Sequence, residues 1–404
     1  MPTSSSQVNP RSAIVVGAGI GGLAAALALA REGQSVDLLE QSSEIGEIGA
    51  GLQLAPNAFA ALDALGIGEA VRQASVFTEK MVMMDAIDAS EVAAIPLGED
   101  FRRRFHNPYA VVHRADLHNA ILEQVRREPG VRLHTSARAA SFELSAGRAT
   151  VRTDDGRAFT AAAAIGADGV KSALRAHMLG DAPRVSGHVV YRAVVPYERM
   201  PADLRINAPV LWAGPNCHLV HYPLRSGNQY NLVVTFHSRA QEQWGVTDGS
   251  REEVLSYFQG IHARPRQLLD LPDSWRRWAT ADREPVARWH DDASANATLL
   301  GDAAHPMMQY LAQGACAALE DAVTLGRALR ERAGDWPAAI DLYERSRIAR
   351  TARVVLSVRE MGRLYHAQGV ERLVRNSLWD GRRPEKFYDA LAWLYDWTPE
   401  HCLA

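Results

Sequence analysis

Residues 13–40 read AIVVGAGIGGLAAALALAREGQSVDLLE, and this stretch decides the fold. Ala13-Ile-Val-Val16 is a short buried apolar run, Leu23 to Glu32 is a helix that stops at Gly33, and Val36-Asp-Leu-Leu-Glu40 is a second strand. Between the first strand and the helix stands Gly17-Ala18-Gly19-Ile20-Gly21-Gly22, a G-x-G-x-x-G turn. Its glycines permit the tight turn, the close approach of a pyrophosphate and close helix–strand packing, with the helix N-terminus facing the phosphates. Glu40 closes the second strand, where a carboxylate can accept hydrogen bonds from an adenosine ribose. The alternative is a tightly packed structural turn. Strand before, helix after and Glu40 in place favour an adenine dinucleotide, and the acid disfavours a 2′-phosphate, leaving FAD or NAD. Ala13 to Ala30 is also eighteen residues without a charge, the lower limit for a membrane span, but its glycines and alanines make it a poor one.

Outward from this unit, further strand-like runs precede helices or turns. Tyr109–His113 leads into a helix with Leu117, Ile121 and Val125 on one face; Ala162–Gly166 ends in Ala167-Asp168-Gly169; Ala297–Leu300 ends in Gly301-Asp302 before a helix over Ala317–Arg330. Strands alternating with helices argue for an α/β fold with a mainly parallel sheet. Between about 180 and 285 the runs Val189–Pro196, Val210–Ala213, His218–Leu224 and Tyr230–His237 are β-branched or aromatic and separated by Gly, Pro and Asn. They predict an inserted antiparallel sheet. The expected organisation is a discontinuous Rossmann-like domain over 10–75, 101–180 and 286–365. A substrate domain follows over 76–100 and 181–285, and a C-terminal helical segment over 366–404.

Composition narrows the function classes. The chain has 404 residues and a formal net charge of −3, so nothing suggests a nucleic-acid surface. Three cysteines, Cys217, Cys316 and Cys402, are far apart and odd in number, which fits a reducing cytoplasm. Met1 to Ser12 makes a poor secretory signal.

In Cys217-His218-Leu-Val-His221-Tyr222-Pro-Leu224, strand alternation puts His218, Val220 and Tyr222 on one face and His221 on the other. That disfavours a metal pair, and no metal is expected. The long helix carries Arg345, Arg347, Arg350, Arg353, Arg359 and Arg363, read by default as a solvated face. Trp379, Phe387, Tyr388, Trp393, Tyr395 and Trp397 pin the C-terminal segment to the core or to a second subunit; a homodimer is favoured.

Taken in order, several elements resemble the single-component flavin aromatic hydroxylases, the para-hydroxybenzoate hydroxylase fold group. They are the glycine fingerprint, Gly49-Ala-Gly51 with Pro56-Asn57-Ala58, His113-Arg114-Ala-Asp116-Leu, Gly166-Ala-Asp168-Gly169, and Gly301-Asp302-Ala-Ala-His305-Pro306 continuing to Glu320-Asp321. The resemblance covers nearly the whole chain and implies FAD, with its ADP half on Gly17, Gly19 and Gly22. It implies that Arg114 contacts the cofactor, Asp168 touches the pyrophosphate region and Asp302 the ribityl chain. Gly49 and Gly51 then pass beside the flavin, and Gly314 opens a helix whose positive end stabilises the reduced ring. No second Rossmann fingerprint follows residue 40, so NADH would dock transiently as co-substrate, with dioxygen trapped as a flavin hydroperoxide.

Within the family the closer resemblance is to the branch that hydroxylates 3-hydroxybenzoate para to its hydroxyl, giving gentisate. It carries His218, Gln309 and Tyr222 over as substrate contacts, His218 as proton acceptor and Gln309 as the group that orients the hydroxyl. Salicylate hydroxylases show Gln-Gly-Ala-Gly after the Gly-Asp element, whereas Gln313-Gly-Ala-Cys316 departs from it. A salicylate-type or other phenol hydroxylase is the nearest rival, and a flavin oxidase or sensor without oxygen insertion the rival from another class.

Overall fold

The structure is a computed structural model describing residues 8–46, 50–290 and 295–404. Gly49 lies outside the described residues. The opening stretch folds as strand Ser12–Val16, helix Ile20–Arg31 and strand Ser35–Leu39. The strand residues Ala13 to Val16 are buried on both faces, as the interior of a parallel sheet requires. The following helix is rich in alanine, a strong helix former, and its small side chains allow close packing. Helix Gly314–Glu331 lies against it, with Gly326 over Ala28. The uncharged eighteen-residue run is therefore strand plus turn plus buried helix. Among the described residues no helix is long and apolar enough to cross a membrane.

Five parallel strands make the first sheet, in the order Ala297–Leu299, Ala163–Gly166, Ser12–Val16, Ser35–Leu39, Val131–His134. Eight strands make the second, from Gly245–Gly249 at one edge to Glu91–Pro96 at the other. Its centre is Arg184–Pro196, Gln229–His237 and Cys217–Leu224, paired antiparallel. Lys80–Asp85 and Glu91–Pro96 join the same sheet, so the strands expected between 180 and 285 are completed from earlier in the chain.

One expectation is corrected. Ala110–His113 does lead into helix Arg114–Arg127, but it pairs antiparallel with Gly51–Leu54 and Ser75–Phe77 in a separate three-stranded sheet. All four of its residues are buried. Burial on both faces produces the same continuous apolar run whichever way the neighbouring strands point.

The arginine-rich helix spans Trp336–Tyr365, capped by Asp335, whose carboxylate accepts from the Ala338 N–H at 3.1 Å. Its reading as a solvated face is overturned. Arg347 is 0% exposed and pairs with Glu320 and Asp321, both at 2.6 Å. Arg350 joins Glu320 at 2.7 Å and Arg359 joins Asp282 at 2.8 Å. Arg353, itself exposed, lies over the Trp393 ring at 4.0 Å, and Arg345, Arg353 and Arg363 fit the solvated reading. The C-terminal helices Gly369–Trp379 and Pro384–Tyr395 follow, and the aromatic residues do pin this segment. Tyr388 and Tyr395 meet Phe101 and Phe105 edge-to-face with centroids 5.5–6.2 Å apart.

Candidate active site

The glycine turn is built by close contacts that only glycine permits. Gly17 has φ +101°, and its N–H donates to the Leu39 carbonyl at 2.7 Å. A Cβ on Gly22 would stand 1.8 Å from the Gly17 oxygen, so the helix can approach the turn only here. Gly22→Ala is therefore expected to displace the turn and lose FAD, read as the flavin-to-protein absorbance ratio of the purified chain. Gly19, by contrast, has nothing within 4 Å of its Cβ position and lines a cavity. Glu40 accepts from the Ala18 and Ser42 N–H groups, each at 2.9 Å. Each carboxylate oxygen keeps a second lone pair for a ribose hydroxyl.

The cavity measures about 1120 Å³ and runs from the glycine turn to the face of the eight-stranded sheet. Gly19, Gly51, Arg114, Asp302 and Gly314 line it, as do the substrate candidates His218, Tyr222 and Gln309. This is larger than the ~300–1,000 Å³ common for one small ligand, so it has room for a dinucleotide and an aromatic acid together. Two helix N-termini, at Ile20 and Gly314, open onto it and favour negative charge.

Asp168 is placed differently from its neighbours. Gly169 lines the cavity, while Asp168 Oδ2 accepts from the Ala173 and Leu174 N–H groups at 2.7 and 3.4 Å. Its Oδ1 is buried without a partner among the described residues, and burial pushes the carboxyl upward.

Gly51 joins the two halves of the site. Its N–H donates to Asn231 Oδ1 at 2.8 Å, and a Cβ there would lie 2.4 Å from the Tyr222 ring. Gly51→Ala must move either the strand beside the cofactor region or Tyr222. Its expected effect is weaker binding of an aromatic acid, measured by titration of the purified holoprotein.

As alternation requires, His218, Val220 and Tyr222 line the cavity, while His221 is buried away from it with neither ring nitrogen partnered among the described residues. His218 Nδ1 lies 2.8 Å from His366 Nε2, and its Nε2 has no partner among the described residues. With Nδ1 protonated and donating to His366, Nε2 is the free acceptor on a ring that lines the cavity. Burial, and His188 nearby, hold His218 down at about 3, so the ring is neutral near pH 7. Gln309 Nε2 donates to Thr235 Oγ1 at 3.1 Å, which leaves its carbonyl oxygen available. Cys316, where the sequence departs from the salicylate pattern, is buried, and burial pushes its thiol up to about 12.

The buried network behind the cavity went unread in the sequence. Asp321 Oδ2 takes the Gly301 N–H at 2.9 Å and His305 Nε2 at 2.5 Å, fixing the loop that carries Asp302. Asn57 Nδ2 bridges Glu320 and Gln313 at 2.6 and 2.9 Å, tying the start of helix Gly314–Glu331 to the first half of the chain. His366 was also missed. It lies in sequence just beyond the arginine-rich helix, and no spacing pattern links it to His218.

Comparison with known proteins agrees with this geometry. Residues 11–357 match the FAD binding domain family. A 3-hydroxybenzoate 6-hydroxylase of Polaromonas naphthalenivorans (strain CJ2) is 63% identical over 97% of both chains. One from Klebsiella oxytoca is 61% identical over 97% of this chain and 98% of its own. Among solved structures, a salicylate hydroxylase substrate complex is similar with TM-score 0.82 and 26% identity, covering 99% of this chain and 98% of its own. Klebsiella pneumoniae HpxO complexed with FAD and uric acid is similar with TM-score 0.82 and 26% identity, covering 96% and 97%. By sequence along nearly its full length and by fold, the chain belongs to the family of FAD-binding aromatic hydroxylases.

Proposed function

We propose that the chain is a 3-hydroxybenzoate 6-hydroxylase, an FAD-dependent monooxygenase. It uses NADH and dioxygen to hydroxylate 3-hydroxybenzoate para to its hydroxyl, giving gentisate (2,5-dihydroxybenzoate). The observation that carries this reading is His218 and Gln309 on one cavity with the glycine turn, in a chain alike over its full length to hydroxylases of that substrate.

The residues present fit FAD. Open space at Gly19, two helix N-termini and Asp302 line one cavity, with Glu40 and Arg114 placed for the ribose and the cofactor's far half. Bound FAD supplies the electron transfer and dioxygen activation that no side chain here can supply. The protein's own part is to hold the ring and manage one proton. His218 Nε2 accepts the phenolic proton while its Nδ1–H donates to His366, which fixes the tautomer. Gln309, held by Thr235, orients the hydroxyl, and Tyr222 packs beside it against Gly51. The phenolate pushes electrons into the ring and makes the para carbon nucleophilic. Val220, Val233, Leu211 and Met308 line the same cavity and keep it dry. A panel of hydroxybenzoates scored for stimulated NADH consumption tests the reading. The 3-hydroxy isomer is expected to stimulate most; strongest stimulation by salicylate would favour the rival.

We also infer a cytoplasmic homodimer. Three buried, unpaired cysteines support a reducing compartment. Helix Gly369–Trp379 presents Val370, Leu373, Val374 and Leu378 on one face, with exposures from 51% to 75%, a contiguous apolar stripe suited to a second copy. Sedimentation of the wild type as a dimer, and of Leu373→Asp as a monomer, is the expected result.

A further inference from the structure

Arg192 stands on the cavity-facing side of the eight-stranded sheet, on strand Arg184–Pro196. Register fixes its position relative to His218. On Gln229–His237, Thr235, Val233 and Asn231 lie opposite His218, Val220 and Tyr222. On their other side the same three residues lie opposite Val190, Arg192 and Val194. All nine share one face of the sheet. Arg192 is thus two strands and two residues from His218, about 12 Å between backbones at ~4.8 Å per strand and ~3.4 Å per residue. Both side chains line the one cavity, so a benzene ring can lie between them with a polar substituent toward each.

Among the described residues no carboxylate neutralises this guanidinium. Among the described residues it has no hydrogen-bond acceptor and no carboxylate partner; the Trp278 ring lies 5.7 Å from its Cζ. Burial, with Arg114 nearby, disfavours its charge, while the Tyr222 phenol offsets this in part. Arginine stays protonated in proteins, so it brings five N–H donors and a full charge to a sheet face that otherwise presents Val220, Val233, Tyr222 and His218 to the cavity. By contrast, the fully buried Arg347 and Arg175 each meet carboxylates and backbone carbonyls. An unsatisfied charge of this kind is costly unless a ligand supplies the acceptor.

We propose that Arg192 is the anchor for the substrate carboxylate, gripping it through paired N–H donors. The carboxylate then turns toward Arg192 and the hydroxyl toward His218 across the same cavity. This rests on the reading of the chain as a 3-hydroxybenzoate hydroxylase. It adds the group that distinguishes a benzoate from a neutral phenol.

The test compares 3-hydroxybenzoate with its uncharged analogue 3-hydroxybenzamide, titrated into holoprotein and followed by perturbation of flavin absorbance. Wild type should bind the benzoate far more tightly. Arg192→Met should weaken benzoate binding by roughly 10- to 100-fold, the loss of a charge-assisted pair, and change benzamide binding less than about threefold. Arg192→Lys should fall between, keeping the charge without the fork. An unchanged benzoate-to-benzamide ratio in Arg192→Met, or loss of FAD from both variants, overturns the anchor. Should wild type show the charge preference yet form no gentisate, the anchor stands and the proposed reaction falls.

Discussion

Arg347→Leu is expected to lower the melting temperature by roughly 5–15 °C and to strip FAD from what remains folded. The side chain is 0% exposed and holds Glu320 and Asp321 through Nη1 and Nε while Nη2 donates to the Ala317 carbonyl at 3.2 Å. Removing it leaves Asp321 with His305 and the Gly301 N–H among the described residues, and Glu320 with Arg350 and Asn57. Breaking such a buried pair from one side costs about 3–5 kcal/mol, a large share of the ~5–15 kcal/mol that holds a domain together. Burial opposes ionisation of Asp321, but His305 and Arg347 outweigh it and hold the carboxyl down at about 2. A depressed carboxylate contributes stability above its unfolded value of 3.8 and loses it as pH falls toward 2, so the variant's deficit should be undiminished from pH 5 to 8. Arg347→Lys keeps the charge but not the fork and should fall between. Thermal unfolding with flavin content decides it; wild-type values for Arg347→Leu would contradict the role.

His218→Ala is expected to reduce hydroxylation by roughly 10²- to 10⁴-fold, the range for removing a positioned general base. Substrate binding should change far less, because only one neutral contact is lost. The NADH consumed should increasingly escape without hydroxylated product. Since burial and His188 hold the ring down at about 3, His218 stays neutral from pH 8 to 5. It should contribute no acid limb to the pH–rate profile in that range. A variant with unchanged turnover and coupling would remove His218 from the mechanism. So would an acid limb near pH 6.5 that vanishes with the substitution.

The fold was legible where sequence pattern and backbone geometry coincide. Gly17 and Gly22 are required by a positive φ and by a 1.8 Å approach, so their spacing reports the turn directly. The alternation that set His218 and Tyr222 apart from His221 is likewise a property of extended backbone, and the cavity follows it. What could not be read were relations between distant segments. Ala110–His113 carries the apolar signature of a parallel-sheet strand yet pairs antiparallel, because a strand's partner leaves no mark on its own composition. Arg347 and Arg350 look like any surface pair three apart on a helix until Glu320 and Asp321, nearly thirty residues earlier, are packed against them. His366 reaches His218 across 148 positions, and Arg192 gains meaning only from strand register and from lacking an acceptor among the described residues.

Turnover under isotopically labelled dioxygen with NADH, followed by chromatography and mass spectrometry of the product, shows whether the chain inserts one oxygen atom into 3-hydroxybenzoate para to its hydroxyl. Gentisate carrying one labelled oxygen, formed in proportion to NADH consumed, is the predicted result. A different dihydroxybenzoate would contradict the claim, as would NADH oxidation that yields peroxide and returns the substrate unchanged.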